Sequence, residues 1–131
     1  MANSGNQMVT TNSSTKFISN PMNCPVTRTM SIIGGKWKPI ILNVIGDRAI
    51  RFGKLNQLIP AISNKVLANE LKEMESVGLI KRKEYKELPP RVEYELTSAG
   101  NSLMPILNEM AKWGNANEAK GIIKKGHTNK V

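Results

Sequence analysis

The side chains best suited to bind a ligand lie along one face of a predicted helix that runs from Ser63 to about Val77. That face carries four polar side chains and no acid: Lys65, Asn69, Lys72 and Ser76. Lysine and asparagine can reach phosphate groups or base edges, whereas a carboxylate among them would repel phosphates. The pattern therefore predicts a surface that contacts DNA. The alternative is a solvated surface of mixed charge, because Glu70, Glu73 and Glu75 stand on its flanks.

The helix that positions these side chains has a recognisable start and end. The Ser63 side chain can accept a hydrogen bond from a free amide of the first turn, and Gly78 suits the left-handed residue that closes a helix. Between them Leu67, Leu71 and Met74 recur at i, i+4 and i+7, the spacing of a buried helical stripe. The buried stripe would hold the polar face outward.

A shorter helix is predicted just before this one. Its apolar residues are Phe52, Leu55, Leu58 and Ile59. Pro60 ends it, and the short turn before Ser63 lets the two helices cross steeply. In such a helix-turn-helix the first helix lies over the DNA backbone and the second enters the major groove. Arg51 and Lys54, at the start of the motif, are expected to anchor phosphates.

After Gly78 the sequence alternates with the period of β-strands. The second strand has two faces: Val92, Tyr94 and Leu96 on one, and Arg91, Glu93 and Glu95 on the other. The first strand, predicted over 79–86, places Lys81 and Lys83 where they could pair with Glu93 and Glu95. Such pairs would leave two basic side chains free beside the Pro89-Pro90 tip to hold DNA: Lys86 and Arg91. The alternative is that Glu93 or Glu87 holds Arg91, which then shapes the hairpin. The predicted fold is mainly α (α+β), a winged helix-turn-helix with a two-stranded wing.

The remaining apolar periodicity predicts three more helices. One opens at Pro25, a second is densely apolar from Trp37 to Ile45, and a long last helix runs from about Ser98 to Ala119. Pro105 lies inside the last helix and would remove a hydrogen bond, so a bend near Asn101 is expected. The broad apolar side of the last helix either packs within one chain or meets a second chain.

Composition fits one domain with a polyanionic partner. The chain has 131 residues and a formal net charge of +9. We expect a disordered polar segment over 1–20, one folded domain over 21–119 and a basic flexible tail over 120–131. The excess charge favours nucleic acid, although residues 47–95 carry ten basic and eight acidic side chains. The motif must therefore act through where its charges are placed.

Several other classes of protein lose support. No apolar run is long enough to span a membrane and no signal peptide is present, so a cytoplasmic protein is expected. A single Cys excludes an internal disulfide, and with His127 as the one His a metal site within one chain is not expected. The domain holds no His for a hydrolytic triad and no Gly-rich phosphate loop. No enzymatic activity and no cofactor are predicted.

A set of ordered motifs spans nearly all of the foldable chain, from about Cys24 to Asn117. They are Cys24-Pro25-Val26, Gly34-Gly35-Lys36-Trp37, Arg51-Phe52-Gly53-Lys54-Leu55, Ile62-Ser63, Leu67, Leu71, Gly78-Leu79-Ile80, Pro90-Arg91-Val92-Glu93-Tyr94, Leu96-Thr97, Leu107 and Trp113-Gly114. In this order the chain resembles the HxlR-type winged helix-turn-helix transcription regulators, which are close to the MarR regulators. The resemblance implies a cytoplasmic homodimer that binds double-stranded DNA at an inverted-repeat operator.

The resemblance also bears on the first and last helices. In MarR-like relatives these two helices pair between subunits, which makes their apolar residues candidates for a dimer interface. In this chain the candidates are Val26, Met30, Leu103, Ile106, Leu107, Met110 and Trp113. We therefore expect the last helix to act as a dimerisation helix.

Cys24 is a candidate for redox sensing. It lies at the cap of a helix opened by Pro25, where free amides and the helix dipole favour a thiolate, and Arg28 is one turn away. Several HxlR-type proteins are similar in having a Cys here that responds to oxidants or quinones. The alternatives are a small buried Cys and a regulator switched by a non-covalent small aromatic effector.

The sequence thus predicts a sequence-specific DNA-binding transcription regulator. The residues expected to read or grip the major groove are Ser63, Asn64, Lys65, Asn69 and Lys72. The rival class is a winged-helix protein-interaction module, because the same helix can dock a protein. Salt dependence distinguishes the two, since DNA binding through several phosphates weakens steeply as salt is added.

Overall fold

Between residues 19 and 124, which the computed structural model describes, the chain forms five α-helices and three β-strands. The described residues up to Gly34 belong to one compact unit and those from Gly35 onward to another. The first unit contains a single 3-10 turn, Pro21–Asn23, and α1, Pro25–Ile33. Cys24 is the N-cap of α1, as the sequence predicts, and Gly34 is its C-cap. His127 and most of the predicted tail lie outside the described residues.

The second unit contains the helix-turn-helix. Helix α2 covers Trp37–Ile45, α3 covers Phe52–Leu58 and α4 covers Asn64–Ser76. The cap predicted for α4 is confirmed, because Ser63 Oγ accepts a hydrogen bond of 3.1 Å from the Val66 amide. Gly78 has φ +85°, which is the left-handed conformation expected after α4.

The wing is formed by β2, Ile80–Tyr85, and β3, Arg91–Leu96, which pair antiparallel. A third strand that the sequence did not predict, β1 over Ile50–Arg51, pairs with the other edge of β3, so the sheet order is β1-β3-β2. The expected two-stranded ribbon is therefore one part of a three-stranded sheet. Two residues are too few to show an alternating pattern, which is why β1 left no signal in the sequence.

The core of this unit joins the inner faces of its helices to one face of the sheet. Its fully buried side chains are Ile41, Leu42, Ile45, Leu55, Leu67, Leu71, Met74 and Ile80. The predicted stripe of α4 lies in this core. Each such aliphatic side chain contributes about 1.5–3 kcal/mol when it is removed from water, which holds the opposite face of α4 outward.

Helix α5, Ser98–Ala119, begins at an anchored corner. Thr97 Oγ1 accepts a hydrogen bond from the Gly100 amide and donates to the carbonyls of Gly78 and Leu79. Gly100 permits this approach, because a Cβ there would lie 2.2 Å from the Leu79 carbonyl oxygen. Pro105 lies inside the helix. No helix between residues 19 and 124 combines the length and apolarity needed to cross a membrane.

Candidate nucleic-acid interface

The outward face of α4 presents the polar side chains that the sequence predicted. Asn64, Lys65, Asn69 and Lys72 are all exposed. Ser63 is exposed as well, and its hydroxyl oxygen is engaged by the Val66 amide as the helix cap. Ser76 instead turns back on its own helix, where its hydroxyl donates to the Glu73 carbonyl at 2.7 Å. The first three turns of α4 therefore carry the exposed amides and ammonium groups.

Two of the three glutamates that flank this face are paired by a lysine from α2. Lys38 Nζ lies 2.7 Å from Glu70 Oε1 and 2.7 Å from Glu73 Oε1. The Lys38 side chain is only 15% exposed. Its pKa is raised, chiefly by the hydrogen bond to Glu70 and then by the one to Glu73. This contact counters the negative charge beside the polar face of α4, and nothing in the local sequence pattern indicated it.

The wing tip differs from the prediction at Arg91. Its Nη1 lies 2.9 Å from Glu93 Oε2 and its Nη2 lies 2.8 Å from Glu87 Oε2. The guanidinium also stacks 3.9 Å from the centre of the Tyr85 ring, its partner across the ribbon. Arg91 is therefore not left free, because two carboxylates and an aromatic ring hold it. These contacts agree with the alternative, in which Glu87 or Glu93 holds Arg91 at the hairpin. Lys86 is exposed.

The charge pairs along the ribbon are only partly those expected. Lys81 Nζ lies 3.9 Å from Glu95 Oε2, in agreement with the prediction. Lys83 faces Glu93 in register, but the Glu93 carboxylate binds Arg91. The expected Lys83–Glu93 pair is absent because a shorter, charge-assisted contact with Arg91 uses the carboxylate.

The start of the motif offers two exposed basic side chains. Arg51 is the N-cap of α3 and Lys54 lies in its first turn. Both are exposed. Positive groups here would lie beside a phosphate backbone if α4 entered the major groove.

Cys24 is half-buried at the start of α1. The pKa of its thiol is lowered, chiefly by the neighbouring Thr27 hydroxyl and amide, with a smaller contribution from the charge of Arg28. The expected direction agrees, but Thr27 is the main cause. The Arg28 guanidinium is directed to the Met22 carbonyl, with Nη1 at 2.7 Å from the oxygen.

The apolar side of α5 is not covered within its own unit. Ile106, Met110 and Trp113 are 49%, 47% and 58% exposed, while Leu103 and Leu107 are half-buried. A groove of about 380 Å³ runs between α5 and α2, lined by Pro39, Ile40, Asn43, Leu107, Asn108, Met110 and Ala111. In the first unit Val26 and Met30 are also exposed. The exposed or half-buried apolar side chains of α1 and α5 are therefore those predicted for the dimer interface: Val26, Met30, Leu103, Ile106, Leu107, Met110 and Trp113.

The C-terminal end of α5 is closed by its own backbone. The Asn117 carbonyl accepts hydrogen bonds from the amides of Ile122 and Ile123, at 2.8 and 3.2 Å. The described start of the predicted tail, 120–124, is therefore bonded to the helix. Over residues 19–124 no cluster of three or more His, Cys, Asp or Glu side chains is placed to hold a metal ion.

Comparisons with known proteins agree with this architecture. A family model described as HxlR-like helix-turn-helix matches residues 32–121. An uncharacterized HTH-type transcriptional regulator of Halalkalibacterium halodurans is 45% identical over 102 residues, which cover 77% of this chain and 90% of the relative.

Two solved structures are similar in fold and in sequence. A MarR-family transcriptional regulator from Porphyromonas gingivalis has a TM-score of 0.72 and 48% identity, covering 78% of this chain and 99% of that one. The redox regulator HypR in its reduced form has a TM-score of 0.69 and 39% identity, covering 72% of this chain and 94% of that one. The chain belongs to the HxlR-like helix-turn-helix family of transcription regulators.

Proposed function

We propose that this protein is a homodimer that binds an inverted-repeat operator and regulates transcription through sequence-specific contacts of α4. The observation that carries the proposal is the exposed, acid-free face of Asn64, Lys65, Asn69 and Lys72. Lys38 strengthens it, because it binds two of the flanking carboxylates. A helix whose exposed face carries amides and ammonium groups but no carboxylate can enter the major groove without repelling phosphates.

The surrounding elements supply contacts to the backbone. Arg51 and Lys54 stand at the start of α3, the helix that crosses the backbone in a helix-turn-helix. Lys86 is the exposed lysine at the wing tip and would meet the flanking phosphates or minor groove. Backbone contacts of this kind set the register of the protein, whereas Asn69 is the best candidate to read a base edge.

A second copy of the chain is proposed to cover the apolar side of α5. Contiguous exposed apolar side chains on a small domain indicate an interaction surface, and Ile106, Met110 and Trp113 form one. A two-fold dimer places two recognition helices about 34 Å apart, one turn of the duplex, so the half-sites are inverted repeats. Met110→Glu should yield a monomer by light scattering, whereas Leu88→Glu, a control at the 99% exposed wing tip, should leave the dimer intact.

The signal is proposed to be oxidation of Cys24. Support comes from its lowered thiol pKa and from the similarity to a protein described as a redox regulator. Overall, the thiolate and hypochlorous acid react to give a sulfenic acid and chloride. A thiol of a second chain can then displace water to form a disulfide between chains. The competing input is a non-covalent aromatic ligand in the groove between α2 and α5.

Footprinting on DNA upstream of the gene that encodes this chain tests the proposal. We expect a protected inverted repeat, with affinity falling by orders of magnitude between about 50 and 200 mM salt. If α4 instead binds a protein, and DNA binding is absent or independent of salt, the chain is a protein-interaction module. Unlabelled mixed-sequence DNA is used as a competitor beside unlabelled operator DNA. If both remove the protection equally well, the protein does not bind a specific sequence.

A further inference from the structure

A cavity of about 350 Å³ lies between the recognition helix and the wing. It is lined by Ala68, Lys72 and Glu75 of α4, Arg82 of β2 and Tyr94 of β3. Lys72 belongs to the predicted DNA-binding face, but the sequence reasoning gave Arg82 and Tyr94 no part in binding. The cavity therefore extends the candidate interface from the helix onto the sheet.

Arg82 lies on the side of the sheet that faces the core. Alternation along β2 puts Arg82 on the same face as buried Ile80, and puts Lys81 and Lys83 on the opposite face. Across the ribbon Arg82 is paired with Tyr94, which is 9% exposed. The Arg82 side chain keeps 38% of its surface exposed.

The contacts that Arg82 makes leave its guanidinium able to bind an anion. Glu84 Oε2 is 3.5 Å from Nη2, and Glu84 is itself 68% exposed. Exposed pairs of this kind contribute about 0–1 kcal/mol, so a better acceptor can replace the carboxylate. A hydrogen bond to the buried Tyr94 side chain is the main reason that the pKa of Arg82 is raised.

We propose that Arg82 and Lys72 form a clamp for a DNA backbone phosphate that passes between the recognition helix and the wing. The inference rests on the proposed DNA-binding function and adds a contact to it. A guanidinium can bind two phosphate oxygens while an ammonium acts as a point charge, so the pair can hold one phosphate from two sides. Glu75, at the rim of the same cavity, opposes this binding and limits its strength.

The course of a bound duplex favours a phosphate of the DNA backbone over a free phosphate ion in this cavity. The cavity is open to solvent and Lys72 is shared with the exposed face of α4, so a phosphate bound here would be continuous with a duplex along that face. When a recognition helix occupies the major groove and the wing reaches the adjacent minor groove, one backbone strand runs between the two.

The test uses the full chain and a mixed-sequence duplex of about 30 base pairs, because phosphate contacts are independent of sequence. Arg82→Gln is compared with Lys81→Gln, which removes the same charge from the neighbouring residue on the opposite face. Loss of one phosphate contact should reduce the slope of log affinity against log salt by about 0.9, or about eightfold in affinity at 0.1 M salt. We expect this for Arg82→Gln and a smaller change for Lys81→Gln.

Further variants separate the clamp from a structural role. Arg82→Lys should keep the salt slope, and Glu75→Gln should bind DNA more tightly than the wild type because it removes a repulsive charge. If Arg82→Gln unfolds, the Glu75→Gln result decides, and unchanged affinity there would overturn the clamp. Equal slopes for Arg82→Gln and Lys81→Gln would do the same.

The failure of the clamp and the failure of the proposed function are distinguishable. A wild-type chain without salt-dependent DNA binding would remove the proposed function itself. Normal wild-type binding with no special effect of Arg82 would remove only the clamp. Inorganic phosphate is titrated in parallel. The wild type could bind phosphate saturably and lose that binding in Arg82→Gln, while the variant keeps the wild-type salt slope of DNA affinity. That result would assign the site to a free anion.

Discussion

Lys38 and Glu70 join α2 to α4, the proposed recognition helix, with Nζ and Oε1 2.7 Å apart across a sequence separation of 32 residues. Glu73 accepts a second hydrogen bond from the same ammonium group. One lysine therefore fixes the side of α4 against α2 and compensates the charge of two carboxylates beside the proposed DNA-binding face. The contact connects the stability of the motif to its electrostatics.

Replacing Lys38 should weaken both folding and DNA binding. Lys38→Met leaves Glu70, 22% exposed, without its partner, and we expect a loss of about 1–3 kcal/mol in the free energy of unfolding. DNA affinity at low salt should fall as well, since the two carboxylates are no longer compensated. Urea denaturation measures the first effect. The control is Lys112→Met, whose partner Glu109 is 72% exposed, and a cost as large as that of Lys38→Met would contradict the argument.

The stabilisation by Lys38 should depend on pH in one direction. The pKa of Lys38 is raised in the folded chain above the ordinary value of 10.5. Its contribution to stability is therefore fully present below pH 10.5 and is lost as the pH rises through the folded-state pKa. The difference in unfolding free energy between wild type and Lys38→Met should stay constant from about pH 7 to 9 and shrink above pH 10.5. A difference that grows with pH in that range would contradict this.

Two neighbouring residues of α4 should affect DNA binding differently. Asn69→Ala should relax sequence preference by about 1–3 kcal/mol at one base pair, because an amide can make paired hydrogen bonds to adenine. Lys72→Ala should weaken binding to all sequences and reduce the salt slope, because an ammonium binds phosphate. Competition with operator variants measures both. Wild-type behaviour of both variants would show that α4 is not the recognition helix.

Arg91 should matter more for the shape of the wing than for affinity. Arg91→Ala removes contacts to Glu87 and Glu93 and the stacking on Tyr85, and we expect a loss of about 1–2 kcal/mol. Thermal melting should detect this as a fall of several degrees. Lys86→Ala, the matched control at the exposed tip, should lower DNA affinity without a change in melting temperature. If Arg91→Ala instead lowers DNA affinity without a change in melting temperature, and Lys86→Ala lowers only the melting temperature, Arg91 is the DNA contact.

The reactivity of Cys24 should depend on Thr27. Because the neighbouring Thr27 hydroxyl and amide are the main cause of the lowered thiol pKa, Cys24 should be alkylated by iodoacetamide faster at neutral pH than an ordinary thiol. Thr27→Val should shift the pH profile of alkylation upward, whereas Thr29→Val, whose hydroxyl bonds the Pro25 carbonyl, should not. DNA binding should respond to hypochlorite in the wild type and not in Cys24→Ser. An equal response in both would leave the non-covalent ligand as the input.

The sequence by itself determined the elements whose signals are local. The Ser63 cap, Gly78 at the end of α4 and the buried stripe of Leu67 and Leu71 were all predicted and confirmed, because capping and helical periodicity act within a few residues. The alternation of β3 placed Tyr94 and Leu96 inward for the same reason. The order of these elements already predicted the winged helix-turn-helix, and the family resemblance implied the same fold.

Only the tertiary structure decided which charges are paired. Lys38 meets Glu70 and Glu73 across more than thirty residues, and no local pattern carries a contact of that range. At the wing tip Arg91 has Lys83 as a competitor for Glu93, and the ribbon geometry gives the carboxylate to Arg91. Arg82 lines the same cavity as Lys72 only because the fold brings β2 next to α4. Charged side chains are long and have several partners within reach, so their pairing is set by the folded chain and not by their spacing in the sequence.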